Sequence, residues 1–216
     1  MIVRKPVLPA SLATVEGLAA LAAEAQGAAV PLEIARFSGC ILPAGDLSDI
    51  VFSKVEFDHC RLTGTVFRGG SFSDVRFQNC DLSGCDFSDS GFRQCEFNGC
   101  KMVGANLSGS FFKDVRFVHC NLQYAAVQNS KLTAAALEES DLSGADLSDC
   151  KLKNLHLSGS KFYGTSFYRT PLKGLDFTTC ELAGPGVTVK MNELAGAVVD
   201  SVQAAQLAAL LGLIIR

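Results

Sequence analysis

The stretch CDLSGCDFSDS at residues 80–90, which returns with small changes as SDLSGADLSDC at residues 140–150, decides the fold of this chain. Both stretches place a large apolar residue at every fifth position. Extended in both directions, the same step meets 30 apolar residues in succession, from Phe37 to Leu182, and 28 of them are Phe or Leu. A period of five fits neither a helix, with 3.6 residues per turn, nor a strand, with two. The pattern predicts a coiled chain with one short side per five residues.

The positions around each apolar centre are restricted as well. Two residues before the centre, 27 of the 30 residues are small, and this position holds all nine cysteines: Cys40, Cys60, Cys80, Cys85, Cys95, Cys100, Cys120, Cys150 and Cys180. Two residues after the centre, 20 of the 30 residues are Gly, Asp or Asn, which tolerate turn conformations. Each unit is therefore predicted to bury one small and one large residue and then to turn.

A second period, of 20 residues, gives the number of sides. Cysteine recurs at this spacing from Cys40 to Cys120. Charge alternates in sign at the same spacing along Arg36, Glu56, Arg76, Glu96 and Arg116. Opposite charges on neighbouring strands stabilise a sheet when they lie directly across from each other. Residues 20 apart are therefore predicted to stack, so that four units make one roughly square coil.

The two quoted stretches resemble the A(D/N)LXX signature of pentapeptide repeat proteins. The resemblance covers residues 35–184 and implies an all-β solenoid, a right-handed quadrilateral β-helix. Its 30 units correspond to about 7.5 coils, and at a strand spacing of ~4.8 Å the rod is roughly 36 Å long. Stacked Phe and Leu side chains are expected to fill the axis and to leave no tunnel for a ligand.

The two flanks of the repeat are predicted to cap its open ends. Residues 1–34 are predicted to form an N-terminal helical cap, with a helix over residues 12–26 that ends at Gly27 and covers the first coil. Residues 185–216 are predicted to form a C-terminal helix and dimerisation segment, with the helix over residues 192–211.

The register also assigns the outward residues of the rod to four sides. The aspartate side, formed by the unit centred on Phe87 and by every twentieth residue from it, has a net charge of −4. The lysine side, defined in the same way from Phe92, has a net charge of +5. The aspartates of the first are Asp46, Asp49, Asp86, Asp89, Asp146 and Asp149. The cations of the second are Lys54, Arg93, Lys113, Lys131, Lys151, Lys153 and Lys173.

The other two sides complete the square. The alternating side, defined from Phe97, has a net charge of −3, and the neutral side, defined from Leu82, has a net charge of zero. The two acidic sides are therefore opposite each other, and the lysine side lies between them. Such charges are typical of a solvated surface and equally of a surface that binds a partner.

The sequence predicts no enzyme, no cofactor and no metal. It contains neither a nucleophile grouped with His nor a Gly-rich phosphate loop. The cysteine column admits two interpretations, a thiolate metal site and a core of small apolar residues. We favour free thiols in the core, because stacked neighbours at ~4.8 Å are too far apart for a disulfide. His59 and His119 precede column cysteines but occupy outward turn positions, and His156 lies far from both.

Composition and the N-terminus indicate the compartment. No stretch approaches 18 uninterrupted apolar residues, so no membrane span is expected. Pro6, Pro9 and Glu16 interrupt any apolar core of a signal peptide. Nine unpaired thiols fit a reducing environment. The sequence therefore predicts a cytoplasmic protein, and its net charge of −3 predicts no direct binding to nucleic acid.

The C-terminus resembles that of Qnr-type quinolone resistance proteins, through GVTV at residues 186–189 and QAAQLAALLGLIIR at residues 203–216. The resemblance implies a two-fold homodimer with an interface formed by Leu207, Leu210, Leu211, Leu213 and Ile214. The alternative is that the helix only caps its own coil. Two rods joined end to end are roughly 70 Å long, which is the length of about 21 base pairs at 3.4 Å each.

The same resemblance implies a function. It predicts a non-catalytic DNA mimic that binds a type II topoisomerase, DNA gyrase or topoisomerase IV, with the six aspartates of the aspartate side in place of phosphates. The alternative is a non-catalytic interaction scaffold for another protein partner. In that case the lysine side and the aromatic residues at outward positions become the binding groups: Phe111, Tyr124, Tyr163 and Tyr168.

Overall fold

A computed structural model describes residues 3–182, 191–210 and 212–214 of the chain. The described strands are β1 (Ala13–Thr14), β2 (Leu32–Ser38), β3 (Val51–Asp58), β4 (Ser71–Ser73), β5 (Arg76–Gln78), β6 (Gly91–Asn98), β7 (Phe111–Val118), β8 (Lys131–Glu138) and β9 (Lys151–Ser158). The described helices are α1 (Leu18–Ala28), α2 (Met191–Leu194) and α3 (Ser201–Leu210).

The strands confirm the register of 20 residues. All described pairs are parallel, and from β2 to β9 each residue pairs with the residue 20 positions later, as in Phe57 with Phe77. The eight-residue strands run along the lysine side and continue onto the alternating side. The aspartate and neutral sides are joined by single bridges, such as Asp86 with Asn106. The structure is therefore the predicted quadrilateral β-helix.

Each coil is square because every fifth residue turns the chain. In one coil the corners are Lys54, His59, Gly64 and Gly69, with φ between 52° and 69°. This left-handed region is open to glycine and is adopted by Asp and Asn more readily than by other residues. The residue types two positions after each apolar centre are therefore the types that the corners require.

The axis is filled by stacked rings. Phe37, Phe57, Phe77, Phe97 and Phe117 form one column, with ring centroids 4.8–5.3 Å apart. Towards the C-terminus Leu replaces Phe, and at this transition the described residues enclose a cavity of about 20 Å³, lined by Leu107, Phe112 and their neighbours. That volume is close to one water molecule. The axis is thus a packed core, as predicted.

The small inward residues do more than fill space. The Cys60 thiol lies 3.2 Å from the carbonyl oxygen of Phe37, and Ser90 and Thr170 donate in the same way to carbonyls 23 residues earlier. The thiols and hydroxyls thus link each coil to the one before it. All nine cysteines are free, and only Cys40 is less than fully buried. The interpretation as free core thiols is confirmed, with this hydrogen bond as an addition.

The N-terminal helix is shorter than predicted. It begins at Leu18 instead of residue 12, because Ala13–Thr14 pair with β2 and cover the free edge of the first coil. Its Leu18 and Ala22 are buried against that coil, so its role as a lid is as expected. Gly27 lies inside the helix, and Ala29 takes the left-handed conformation that ends it. The first coil itself begins at Leu32, before the predicted boundary at residue 35.

Residues 3–10 form an arm that the sequence did not predict. The arm runs along the lysine side, where the N–H of Val7 donates to Asp74 (2.8 Å) and the N–H of Arg4 donates to Asp114 (3.4 Å). Pro6 is buried under these contacts. Because the two aspartates are two coils apart, the arm lies parallel to the rod axis in an extended conformation.

The C-terminal segment also differs from the prediction of one helix over residues 192–211. Two helices form, α2 and α3, and between them Val198 pairs with Asp176, a step of 22 residues instead of 20. Gln203 of α3 is buried and donates through its side-chain amide to the carbonyls of Phe177 and Cys180, both at 2.7 Å. Asp200 and Gln203 form a reciprocal capping box at the start of α3. In the described part of the chain, no helix is long and apolar enough to span a membrane.

Candidate interaction surfaces

The aspartate side is built from turns that use its carboxylates. Asp46 and Asp86 each accept hydrogen bonds through Oδ1 from the N–H and hydroxyl of the serine two residues later, with N–H distances of 2.9 and 3.0 Å. Asp146 makes the same contacts with Ser148. Aspartate at this position therefore fixes the local turn as well as carrying charge.

The remaining three aspartates stand at corners. Asp49, Asp89 and Asp149 all have positive φ, between 54° and 58°. Arg169 pairs with Asp149 at 3.0 Å. In the described residues, Asp49 and Asp89 have no ion pair and are exposed. The corner carboxylates are therefore the freest negative charges on this side.

The six aspartates do not form a continuous band. They lie as three doublets, in the coils of Leu47, Phe87 and Leu147, and the intervening column positions are uncharged, as at Asn106 and Ala126. At ~4.8 Å per coil, the doublets are roughly 10 and 14 Å apart. Arg68 pairs with Asp86 at 2.6 Å and reduces the charge of the middle doublet.

Hydrogen bonds keep these carboxylates ionised. Those from Ser48 lower the pKa of Asp46. Burial acts to raise the pKa of Asp86, but hydrogen bonds from Ser88 and the charge of Arg68 outweigh it, so that its pKa is also below the ordinary value. Both groups are therefore negative at neutral pH.

The alternating side carries the predicted column of opposite charges. Arg76 lies between Glu56 (3.7 Å) and Glu96 (3.5 Å), and Arg116 lies between Glu96 (2.5 Å) and Glu138 (2.9 Å). The side chain of Glu96 is only 8% exposed. These charges are used inside the molecule.

The lysine side differs because its charges are not paired. Each of its seven cations is exposed, and none forms an ion pair with a described residue. Lys131 stacks directly over Lys151 in the register of β8 and β9. Its ammonium group lies 5.6 Å from the ring centroid of Phe111, which is the one cation–π contact among the described residues. The arm covers Asp74 and Asp114, the two acidic residues of this side.

The exposed aromatics are where the register places them. Tyr124 is 70% exposed and Phe111 is 41% exposed. Tyr163 and Tyr168 are close to 40% exposed, and the Tyr163 hydroxyl donates to Glu181. They lie on three different sides of the rod, so they do not form one patch.

His59 and His119 are outward corners, as predicted, with φ of 52°. His59 lies 2.7 Å from Asp58 and 3.3 Å from Asn79. The described residues contain no group of three or more His, Cys, Asp or Glu that could hold a metal. Burial raises the pKa of Cys85 and Cys95 to about 12, which keeps both thiols protonated.

The proposed dimer residues divide into three classes. Leu207 is buried at 6% exposure in the core of its own rod, so its assignment to an interface is wrong, because α3 turns it towards the last coil together with Gln203. Leu210, Leu213 and Ile214 are exposed at 45%, 62% and 87%. Leu211, like GVTV at residues 186–189, lies outside the described residues. Val202, 64% exposed on α3, was missed by the sequence analysis.

Known proteins share this architecture. A model of the pentapeptide repeat region matches residues 30–107 and 70–147, and a model of eight pentapeptide repeats matches residues 140–178. A trypsin-treated variant of QnrB1, a plasmid-mediated fluoroquinolone resistance protein, is 26% identical, with a TM-score of 0.53 over 86% of this chain and 90% of that one. A second trypsin-treated variant is 23% identical, with a TM-score of 0.51 over 84% and 90%.

More distant solved structures include HetL, a pentapeptide repeat protein involved in heterocyst differentiation regulation from the cyanobacterium Nostoc. It is 17% identical, with a TM-score of 0.29 over 83% of this chain and 96% of that one. No curated protein matches the chain.

Proposed function

The chain belongs to the pentapeptide repeat family, and from that premise we propose that it is a non-catalytic DNA mimic that binds a type II topoisomerase, DNA gyrase or topoisomerase IV, and protects it from fluoroquinolones. The observation that carries the proposal is the likeness to a QnrB1 structure over 86% of this chain and 90% of that one. The exposed carboxylates of the aspartate side supply the chemistry that a basic DNA-binding surface recognises.

The mimicry rests on carboxylates in place of phosphates. Asp49 and Asp89 point outward from corners and have no competing ion pair in the described part of the chain. Asp46 and Asp146 are held by hydrogen bonds from the serine two residues later, so little side-chain entropy is lost when a cation approaches. Attraction between exposed charges weakens as salt screens them, so this binding is expected to be salt-sensitive.

The proposal includes a homodimer through the C-terminus, in the cytoplasm. Exposed Val202, Leu210, Leu213 and Ile214 supply apolar surface at one end of the rod. A two-fold contact there joins two rods end to end and roughly doubles the length available to a DNA-binding surface. The nine free thiols are those of a protein that works in a reducing compartment.

The test is a DNA gyrase supercoiling assay with and without a fluoroquinolone, at two salt concentrations. We expect the protein to inhibit supercoiling or to protect it from the drug, and we expect the effect to fade at the higher salt. Asp89→Lys is expected to weaken the effect about 3–10-fold, since it reverses a free corner charge. Lysine fits the left-handed corner, because Lys54 occupies the equivalent position with φ 55°.

The matched control is Glu139→Lys, which makes the same charge change at an exposed corner of the alternating side with φ 50°. An equal loss in both variants would reject the aspartate side as the binding surface. No effect of the unmodified protein at micromolar concentration on gyrase or on topoisomerase IV would reject the proposed function.

A second candidate function, a scaffold for another protein partner, is favoured by the exposed aromatics. Tyr124, with 70% of its surface exposed, is costly to leave in water unless something covers it. If the supercoiling assays show no effect, Tyr124→Ser becomes the variant to compare with the unmodified chain in pull-down experiments. Loss of a captured partner in that variant supports the scaffold.

A further inference from the structure

The ladder of backbone hydrogen bonds opens at one place, between β9 and residues 171–178. In the coils below, the N–H that follows the corner residue of the aspartate side donates to the coil beneath it, as Ser71 does to Ile50 (3.0 Å) and Lys151 does to Ser130 (2.9 Å). The equivalent residue of the next coil is Pro171, which has no N–H. No backbone hydrogen bond joins β9 to described residues 171–178. Residues 172–177 pair upward instead, with residues 193–198.

The burial of β9 confirms that its upper edge is open. Leu152 and Leu155 are only half-buried, whereas the residues below them in the same columns, Leu132 and Ala135, are buried. His156 is exposed, whereas Ala136 beneath it is buried. β9 is thus the last strand of the nine-stranded sheet, with an apolar strip beside unpaired backbone groups.

The charges around this edge all have one sign. Lys151 and Lys153 project from β9, Lys131 lies beneath them and Lys173 lies on the coil above, and all four are exposed without an ion pair in the described part of the chain. Lysines on an edge strand repel a second copy of the same edge. They attract a negatively charged strand, and the same sheet edge supplies its main-chain hydrogen bonds.

The arm shows that the lysine side accepts an extended segment of polypeptide. It lies along this side two coils away, with its backbone held at Val7 and Arg4 and with Pro6 buried. The sides that flank the lysine side are acidic, so a broad polyanion such as duplex DNA meets repulsion on both flanks. A single extended peptide is narrow enough to avoid them.

We propose that the open edge of β9, together with Lys131, Lys151, Lys153 and Lys173, binds an extended acidic segment of a partner protein by strand addition. The segment pairs its backbone with β9, places apolar side chains against Leu152 and Leu155, and places carboxylates near the four lysines. This surface is separate from the aspartate side and does not depend on topoisomerase binding.

The test uses a fluorescein-labelled 12-residue peptide of alternating glutamate and valine, with the full chain, in a fluorescence anisotropy titration at low and moderate salt. We expect saturable binding that the lysine–valine peptide of the same length does not show. Lys151→Glu/Lys153→Glu is expected to weaken binding at least tenfold. Lys101→Glu/Lys161→Glu makes the same change in net charge on the neutral side and is expected to change binding less than twofold.

A second variant tests strand addition apart from charge. Pro171→Ser restores an N–H where Ser71 has one, so it is expected to close the ladder, raise the Tm and weaken peptide binding at least fivefold without any change in charge. Full binding by Pro171→Ser would overturn strand addition, and an equal loss in both charge variants would overturn the site. Tighter binding of a 20-base-pair duplex DNA, or self-association that the Lys151/Lys153 variant abolishes, would overturn the acidic-peptide partner.

Discussion

The alternating side and the lysine side share one set of strands, yet they use charge in opposite ways. On the alternating side each arginine of the column lies within 3.7 Å of a glutamate in a neighbouring coil. On the lysine side like charges stack, as Lys131 does over Lys151. Because the backbone is the same, the difference comes from side-chain choice alone. Charges that are paired between coils stabilise the rod, and charges that are left unpaired are available to partners.

The most severe way to break this comparison is to remove the centre of the charge column. Glu96→Gln leaves Arg76 and Arg116 stacked without the carboxylate between them. Glu96 is almost fully buried, so we expect the free energy of unfolding to fall by about 2 kcal/mol. Urea denaturation measures it.

The control for that variant is Glu139→Gln, an exposed corner carboxylate with no ion pair in the described residues. It is expected to change stability by less than about 0.5 kcal/mol. A Glu96→Gln protein as stable as this control would show that the column contributes nothing to stability.

Acid is a milder way to break the alternating side. Burial acts to raise the pKa of Asp58, but its contacts with His59 and Arg36 outweigh it and place the pKa below the ordinary value of 3.8. A carboxyl whose folded pKa is lowered stabilises the protein above its unfolded pKa and loses this contribution as pH falls through the folded pKa. Lysine and arginine keep their charge in this range.

We therefore expect the free energy of unfolding to fall below about pH 4, with Asp58 accounting for roughly 1 kcal/mol of the loss. Urea denaturation at pH 7, 5, 4 and 3 measures this, and Asp58→Asn is expected to show a shallower decline. An identical pH profile for the variant would remove Asp58 from the acid-sensitive groups.

The smallest expected effect comes from making the lysine side resemble the alternating side. Lys151→Glu places a carboxylate directly above Lys131 and is expected to stabilise the rod by about 0.2–1 kcal/mol, as cross-strand pairs of opposite charge do. Thermal unfolding at low salt checks it. A gain in Tm would also show that a Lys151→Glu/Lys153→Glu protein that fails to bind the acidic peptide has not failed to fold. Destabilisation would contradict the view that these lysines repel each other.

The repeat was predictable because its signal is both local and periodic. The apolar centre, the small residue and the turn residue recur every five positions, and the alternation of charge from Arg36 to Arg116 identifies the stacking partners correctly. The positions of the six aspartates on one side follow from the same arithmetic. Their engagement does not, because a serine two residues later decides whether the carboxylate is tied into a turn, as at Asp86.

The ends were predicted less well because no period constrains them. The arm depends on contacts between residues 67 and 110 positions apart, from Val7 to Asp74 and from Arg4 to Asp114. The C-terminal cap depends on one amide, that of Gln203, which reaches two carbonyls. Helical spacing of apolar residues indicated a helix but did not distinguish a face that packs on its own coil from a face that waits for a partner. Leu207 was misassigned for that reason.

Pro171 is the signal that could have been found. It stands in a column where the other coils need an N–H, and a proline in the interior of a ladder argues against continuous pairing. Its effect is invisible in the five-residue pattern, because proline sits at an outward position that tolerates many residue types.

The register of 20 also determines how such a rod can change in length. Removal of 20 consecutive residues from the repeat, such as residues 101–120, would shorten the rod by one coil and leave every later residue on its original side. Removal of only five would turn everything that follows by a quarter of a revolution. The aspartates of the last doublet would then face a different direction from those of the first two. Insertions and deletions are therefore tolerated by the core in fives but by the surface only in twenties, so the history of length changes in such a rod is written on its sides.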